Sequence, residues 1–123
     1  MAVGDNVAKN KLSGSTNGMG ILVVPTATNH PTTTIIHTAV AGTTNFDEIW
    51  VWAVNTHTSA VDLTIEFGAA TDPDGLINQD SIPVEDGLVL VIPGLILNNT
   101  KVICAFASVA SKIVLYGYVH NLT

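Results

Sequence analysis

The sequence predicts a single all-β domain, an antiparallel β-sandwich of jelly-roll-like character with an extended N-terminal arm. Segments rich in Val, Ile, Thr and aromatic residues recur from residue 21 onward, and Gly, Pro, Asn and Asp separate them. No window carries apolar residues at i, i+3, i+4 and i+7 over the length of a helix. A chain of 123 residues has the size of one domain and can bury one core.

Eight segments have the composition of strands. They are short and closely spaced, as in a β-sandwich or a jelly roll. The link Ile92-Pro93-Gly94-Leu95 is predicted to be a tight turn, because proline does not continue a central strand. The predicted strands are Ile21–Val24, Thr33–Val40, Asp47–Asn55, Ala60–Gly68, Asp80–Val84, Gly87–Ile92, Lys101–Ser108 and Lys112–Asn121.

The first twenty residues differ from the rest of the chain in composition. They are polar and rich in glycine, and they carry two of the four lysines, Lys9 and Lys11. Such a stretch cannot bury enough apolar surface to fold independently. We therefore expect residues 1–20 to form an extended arm, either flexible or laid across a neighbour, and residues 21–123 to form the sandwich domain.

The segment Val61–Phe67 alternates strictly between apolar and polar residues. Its odd-numbered residues are Val, Leu, Ile and Phe, whereas Asp62, Thr64 and Glu66 share the opposite face. This pattern is typical of a strand with one face in the core and the other in water.

Two other predicted strands, Ile49–Val54 and Ile113–Val119, are apolar on both faces. Only one face of each can line the core of a two-layer sandwich, so the other face needs a cover. The arm and loops of the same chain are one possible cover, but we favour self-association, because paired Trp and Tyr are typical of interface centres. The expected subunit interface consists of Trp50, Trp52, Val54, Val114, Tyr116 and Tyr118.

The charge content supports this interpretation and excludes several partners. Only 11% of the residues are charged, against about 25% in ordinary soluble domains. A chain this apolar is expected to bury part of its surface in subunit contacts. It has no arginine and a net charge of −6, which argues against direct binding to nucleic acid or to an anionic membrane.

The candidate catalytic and metal-binding residues form no recognisable motif. Cys104 is the single cysteine and lies in an apolar strand-like segment, so we expect a buried hydrophobic side chain and no nucleophile. No two histidines share a metal-ligand spacing, and each is expected to have a structural role. These histidines are His30, His37, His57 and His120.

The stretch Asp72-Pro73-Asp74-Gly75 is the best local candidate for a cation loop. It lacks both the third ligand of a calcium loop and the closing glutamate, and its Pro and Gly suit a tight turn. We interpret it as a turn, with cation binding by Asp72 and Asp74 left open. The sequence therefore predicts no cofactor, no metal and no enzymatic activity.

The sequence shows no signal for export or membrane insertion. No segment has the 18 or so consecutive apolar residues of a transmembrane helix. The first six residues lack the apolar centre of a signal peptide. We expect synthesis in a cytoplasm, with use there or after release from the cell.

The segments Ile49–Asn55, Val61–Gly68, Ile82–Leu95 and Ile113–Val119 together resemble one known family. In their strand pattern and local sequence, residues 46–123 are similar to the small β-sandwich head decoration (cement) proteins of tailed bacteriophages. The resemblance implies a jelly-roll homotrimer on the exterior of the capsid, made in the host cytoplasm. Such a trimer would bridge major capsid proteins and stabilise the head.

The same resemblance implies a role for the arm and leaves one alternative open. The arm would reach the major capsid protein or a neighbouring subunit. Small phage fibre, knob and tail proteins have similar strand patterns, so a module that binds a host-surface glycan through Trp50 and Trp52 is the alternative. The arm residues expected to contact the capsid are Lys9, Lys11, Leu12 and Met19.

Overall fold

The computed structural model describes residues 6–28, 30, 34–69, 75–84 and 87–123, and all of the regular structure in these ranges is β-strand. The strands are antiparallel and form two sheets, which confirms the predicted all-β class. They are β1 (Val7–Lys11), β2 (Ile21–Val23), β3 (Ile35–Thr38), β4 (Phe46–Asn55), β5 (Val61–Phe67), β6 (Leu76–Ile82), β7 (Val89–Leu97), β8 (Val102–Ala107) and β9 (Ile113–Leu122).

The five-stranded sheet is built around β9. Strand β4 pairs along the whole of β9, β7 pairs with the other side of β4, and β1 and β2 follow one another along the free side of β9. The second sheet has the order β3-β8-β5-β6. Residues from both sheets contribute to a single buried cluster, so the sheets pack as a two-layer sandwich.

The core follows from the two-residue period of the strands. In β4, Ile49, Val51 and Ala53 point inward and are fully buried, and Ile113 and Leu115 of β9 do the same beside them. The opposite sheet supplies a matching row from β5 and β8. Burial of these β-branched and aliphatic side chains supplies the main stabilising free energy of the fold. The matching row consists of Val61, Leu63, Ile65, Ile103, Ala105 and Ala107.

The predicted tight turn at Ile92–Leu95 is wrong, because strand β7 runs through these residues. The strand continues from Val89 to Leu97 because it lies at a sheet edge, where Pro93 needs no ladder hydrogen bond. Gly94 adopts a positive φ of 75° and is the extra residue of a bulge, since Trp50 pairs with Pro93 while Ile49 pairs with Leu95.

Strand β6 also differs from its prediction, because it begins at Leu76, whereas a strand was expected only from Asp80. In contrast, β4 and β9 agree with their predicted ends to within one residue.

The N-terminal segment lies along the domain over its described part, residues 6–20. Strand β1 pairs with β9, and the backbones of Asn6 and Thr123 exchange two hydrogen bonds beyond it. Leu12 is 1% exposed and belongs to the hydrophobic core. The sandwich therefore includes residues that we expected in an extended arm, because one apolar side chain in this polar stretch anchors it.

A buried polar network joins the two sheets. The Ser13 backbone N–H donates to His37 Nδ1 at 3.0 Å, so the imidazole proton is on Nε2, which donates to Asp47 at 2.7 Å. The Asp47 carboxylate also accepts hydrogen bonds from the backbone N–H of Val40 and from the Asn121 side chain, at 3.0 and 2.9 Å. The network connects β3 with β4 and β9, and both ring nitrogens of His37 have structural partners.

Replacing Asp47 with Ala is expected to lower the free energy of unfolding by about 3 kcal/mol, because one buried and two partly buried donors lose their acceptor. Chemical denaturation monitored by tryptophan fluorescence measures this loss. The control is Asp62→Asn on the exposed face of β5, with an expected change below about 0.5 kcal/mol. Equal stability losses in the two variants would contradict a structural role for the network.

Candidate interaction surface

The outer face of the five-stranded sheet brings the predicted interface residues together. Strands β4 and β9 pair without interruption from Phe46 opposite Leu122 to Asn55 opposite Ile113. Alternate residues of this ribbon point away from the core. The six predicted residues lie there as three adjacent cross-strand pairs, Trp50–Tyr118, Trp52–Tyr116 and Val54–Val114.

The aromatic rings on this face pack against one another in a row. The Trp50 and Trp52 rings are stacked with centroids 6.3 Å apart, and Trp52 lies 5.9 Å from Tyr118. Tyr118 in turn lies 5.2 Å from the His120 ring, and Lys9 Nζ is 4.3 Å from the Tyr118 centroid. Each contact restricts the neighbouring side chain, so the row presents a pre-formed surface.

A polar cluster closes one end of the aromatic row. Trp50 Nε1 donates to Glu48 Oε1 at 2.8 Å, and His120 Nδ1 lies 3.0 Å from the same oxygen. The hydrogen bond from Trp50 and then that from His120 lower the pKa of Glu48 below its ordinary value of 4.5, with burial opposing them. The outer face therefore combines apolar rings with one fixed carboxylate.

Two glycines let the backbone pass close to these rings. A Cβ on Gly94 would lie 2.6 Å from the Trp50 ring, and one on Gly20 would lie 2.4 Å from Val114 and 2.8 Å from Tyr116. The rings of Trp50 and Tyr116 thus lie over the backbone of neighbouring segments of their own sheet. Tyr116 nevertheless remains exposed on the outer face.

The four predicted arm residues have different surroundings. Lys9 lies on β1 over the Tyr118 ring, and Lys11 Nζ donates to the Ser15 carbonyl at 2.8 Å. Met19 is exposed in the segment before β2. Leu12 is buried in the core, so the expectation that it contacts a capsid partner is wrong for this fold.

The outer face of the four-stranded sheet is covered by the chain itself near Cys104. The Pro25 carbonyl accepts from Ala107 N–H along the edge of β8, and from there the connection reaches the outer face, where Thr28 Oγ1 donates to the Glu66 carboxylate. Glu66 was expected in water but is fully buried, because strand alternation predicts which face a residue occupies and not what covers that face.

The environment of Cys104 agrees with its predicted role as a buried side chain. It is fully buried opposite Glu66. Burial, and secondarily the charge of Glu66, raises the pKa of the Cys104 thiol to about 11. The group therefore stays protonated near neutral pH and is a poor nucleophile.

The described part of the chain contains no group of three His, Cys, Asp or Glu side chains that could hold a metal ion. No pocket opens on the described surface. None of the described segments forms a helix long and apolar enough to cross a membrane. Asp72 and Asp74, the candidate cation ligands, lie outside the described residues.

Comparisons with known proteins identify no relative. No protein family matches the sequence, and no curated protein or solved structure matches the chain. The outer face of the five-stranded sheet, with its row of packed aromatic side chains, is the feature of the described structure that bears on function.

Replacing Glu48 with Gln is expected to destabilise the fold at pH 7 by less than about 1 kcal/mol, because the carboxylate is partly exposed. The folded-state pKa of Glu48 is lowered, so its charge stabilises the fold above the unfolded-state pKa. That contribution is lost as the pH falls through the folded-state pKa, which lies below 4.5.

Thermal unfolding of both proteins between pH 7 and pH 3 measures this difference. In a Trp50→Phe background, which lacks the indole donor, the effect of Glu48→Gln should be smaller. A difference that is the same at both pH values would contradict the assigned cause of the pKa shift.

Cys104 is expected to react with a thiol reagent at least about 100-fold more slowly in the native protein than an exposed cysteine at pH 8, since its thiolate fraction is that much lower. Absorbance of the released chromophore follows the reaction, which becomes fast in denaturant. A Thr43→Cys variant in a Cys104→Ala background is the exposed control. Equal rates in the native state would contradict the burial of Cys104.

Proposed function

We propose that this chain is a structural virion protein, a capsid decoration (cement) protein of a tailed bacteriophage. In this proposal it forms a homotrimer on the exterior of the head and bridges major capsid proteins. The observation that carries the proposal is the outer face of the five-stranded sheet, where six apolar and aromatic side chains lie in register and remain partly exposed.

Self-association is the simplest use of this face. Each Å² of apolar surface removed from water contributes about 25 cal/mol, so a large incompletely covered face favours a partner. A trimer would also present three copies of each capsid contact at once, and the resulting avidity strengthens attachment without requiring one strong contact. Bridging capsid subunits in this way would resist expansion of the shell.

The strand order supports a jelly roll as the finer fold. Strand β2 pairs with β9, β3 with β8, β4 with β7 and β5 with β6. This nested pairing is that of one long hairpin rolled into two sheets, an arrangement used by viral capsid domains. Strand β1 lies outside this pattern.

We assign the capsid contact to the N-terminal region. All five residues of β1 are exposed, which suits a strand that lies against a second protein. Lys9 and Met19 remain accessible there, whereas Leu12 is excluded by its burial. The net charge of −6 is compatible with a position outside the shell and disfavours contact with packaged DNA.

A phage fibre or knob module that binds a host-surface glycan is the second candidate. The observation that favours it is the pair of stacked rings, Trp50 and Trp52, beside the carboxylate of Glu48. Aromatic faces contact the apolar faces of sugar rings, and a neighbouring carboxylate can accept hydrogen bonds from hydroxyl groups. In this alternative the aromatic row is a receptor site and not a subunit contact.

Light scattering on the purified chain should give three times the chain mass of 12.9 kDa at micromolar concentration. A Trp52→Ala variant is expected to be a folded monomer, because it removes the ring between Trp50 and Tyr118. Phe106→Ala, a half-buried aromatic substitution on the other sheet, is the control and should leave the trimer intact. A wild-type monomer would contradict the proposal.

The two candidates also differ in glycan binding and in copy number. If Trp52→Ala leaves the trimer intact but abolishes binding on a glycan array, the receptor candidate is favoured. Quantitative mass spectrometry of purified phage particles that carry the gene should detect hundreds of copies per head for a decoration protein. A few copies on the tail would indicate a fibre or knob.

A further inference from the structure

The segment between β1 and β2 is fastened to the free edge of β3, which is an end strand of the four-stranded sheet. Gly14 N–H donates to the Ile36 carbonyl at 2.9 Å, and Thr38 N–H donates to Ser13 Oγ at 2.7 Å. A Cβ on Gly14 would lie 2.7 Å from the Ile36 carbonyl oxygen, so the close approach requires glycine. Ser13 and Gly14 together form what we call the latch.

His37 is the partner of the latch whose hydrogen bonding depends on pH. The other latch bonds use backbone groups and a hydroxyl group, which do not titrate in the pH range of histidine. The His37 side chain is buried, and its Nδ1 accepts a hydrogen bond from Ser13 N–H at 3.0 Å. A ring nitrogen that accepts a hydrogen bond carries no proton, so the closed latch requires a neutral imidazole.

A protonated His37 ring cannot keep both of its contacts. Both ring nitrogens of an imidazolium carry a proton and act as donors. The bond from Nε2 to Asp47, 2.7 Å long, survives protonation and keeps the new charge paired inside the protein. At Nδ1, in contrast, the new N–H faces the Ser13 N–H, and two donors then oppose each other. Protonation therefore preserves the contact with Asp47 and breaks the contact with the latch.

The other titratable groups on the elements packed against β3 have different partners. Lys11 donates to a carbonyl of its own segment, Lys101 is exposed before β8, and His30 bonds to a carbonyl of β8. Within the described part of the chain, the charged group in contact with the His37 ring is the Asp47 carboxylate. The protonation state of His37 thus acts on the latch directly and through no second charged side chain.

We infer that the latch is a pH-sensitive device, which protonation of His37 in mildly acidic solution opens. The neighbouring Leu12 is 1% exposed and holds the segment by apolar contacts that do not depend on pH. The opening is therefore local, since it frees Ser13 and Gly14 and uncovers the edge of β3 while the sandwich stays folded. The inference concerns a single chain and goes beyond the proposed function without depending on it.

Hydrogen exchange followed by NMR on the full chain tests the inference. Protection factors, which correct for the intrinsic pH dependence of exchange, are measured for the Ser13 and Gly14 amides between pH 7.5 and pH 5. They should fall about tenfold at the acidic end, because a donor loses its acceptor, whereas amides of β5 and β8 should keep their protection. The ¹⁵N chemical shift of His37 Nδ1 reports protonation of the ring, and its midpoint should coincide with the midpoint of the loss of protection.

Two matched variants identify the responsible histidine. His37→Gln retains one donor and one acceptor but does not titrate, so the latch should stay protected at pH 5. His120→Gln is the control, because it removes the titratable partner of Glu48 on the outer face of the other sheet and should keep the wild-type response. If His37→Gln unfolds by circular dichroism, the coincidence of the two midpoints in the wild type decides.

Four results would overturn the inference. Protection of the latch that is unchanged while Nδ1 is protonated, or an Nδ1 that stays unprotonated at pH 5, removes the proposed cause. A simultaneous loss of protection in every strand shows global unfolding and not a local opening. A response that disappears in His120→Gln belongs to the outer face. None of these results depends on the oligomeric state, so each of them leaves the proposed function standing.

Discussion

The pairing of β4 with β9 is the interaction on which the rest of the structure depends. Ten consecutive residue pairs fix which side chains of both strands point inward and which point outward. A shift of one residue would move Trp50 and Trp52 into the core and expose Ile49 and Val51. The same register thus determines the hydrophobic core and the aromatic row on the outside.

Polar groups at one end of the sandwich hold this register in relation to the second sheet. Asp47 is the inward-pointing residue next to Ile49, and its carboxylate binds His37 from the opposite sheet and Asn121 from β9. A slipped strand would place a different residue at this buried position and leave these donors without an acceptor. Aliphatic packing alone tolerates several arrangements, whereas hydrogen bonds of fixed geometry favour one of them.

Much of the fold could be predicted from the sequence, because strand alternation and turn residues are local signals. Trp50 and Tyr118 indicate in the sequence that their strands, β4 and β9, are apolar on both faces. The structure places these two aromatic side chains on one surface. The predictions for Leu12, Pro93 and Glu66 depended on what lies beside each residue in space. An anchored N-terminal segment, an edge strand and a covering loop are tertiary features that no local pattern encodes.

The outer faces of the two sheets are covered in different ways. On the four-stranded sheet, Thr28 of the β2–β3 connection donates a hydrogen bond to Glu66, which is fully buried on the outer face. On the five-stranded sheet, the rings of Trp50 and Tyr116 lie over the backbone at Gly94 and Gly20, and among the described residues Lys9 lies over the Tyr118 ring. A single connection cannot cross both outer faces of a sandwich whose layers lie about 10 Å apart. The face with the larger aromatic side chains is therefore the one that the proposed self-association would use.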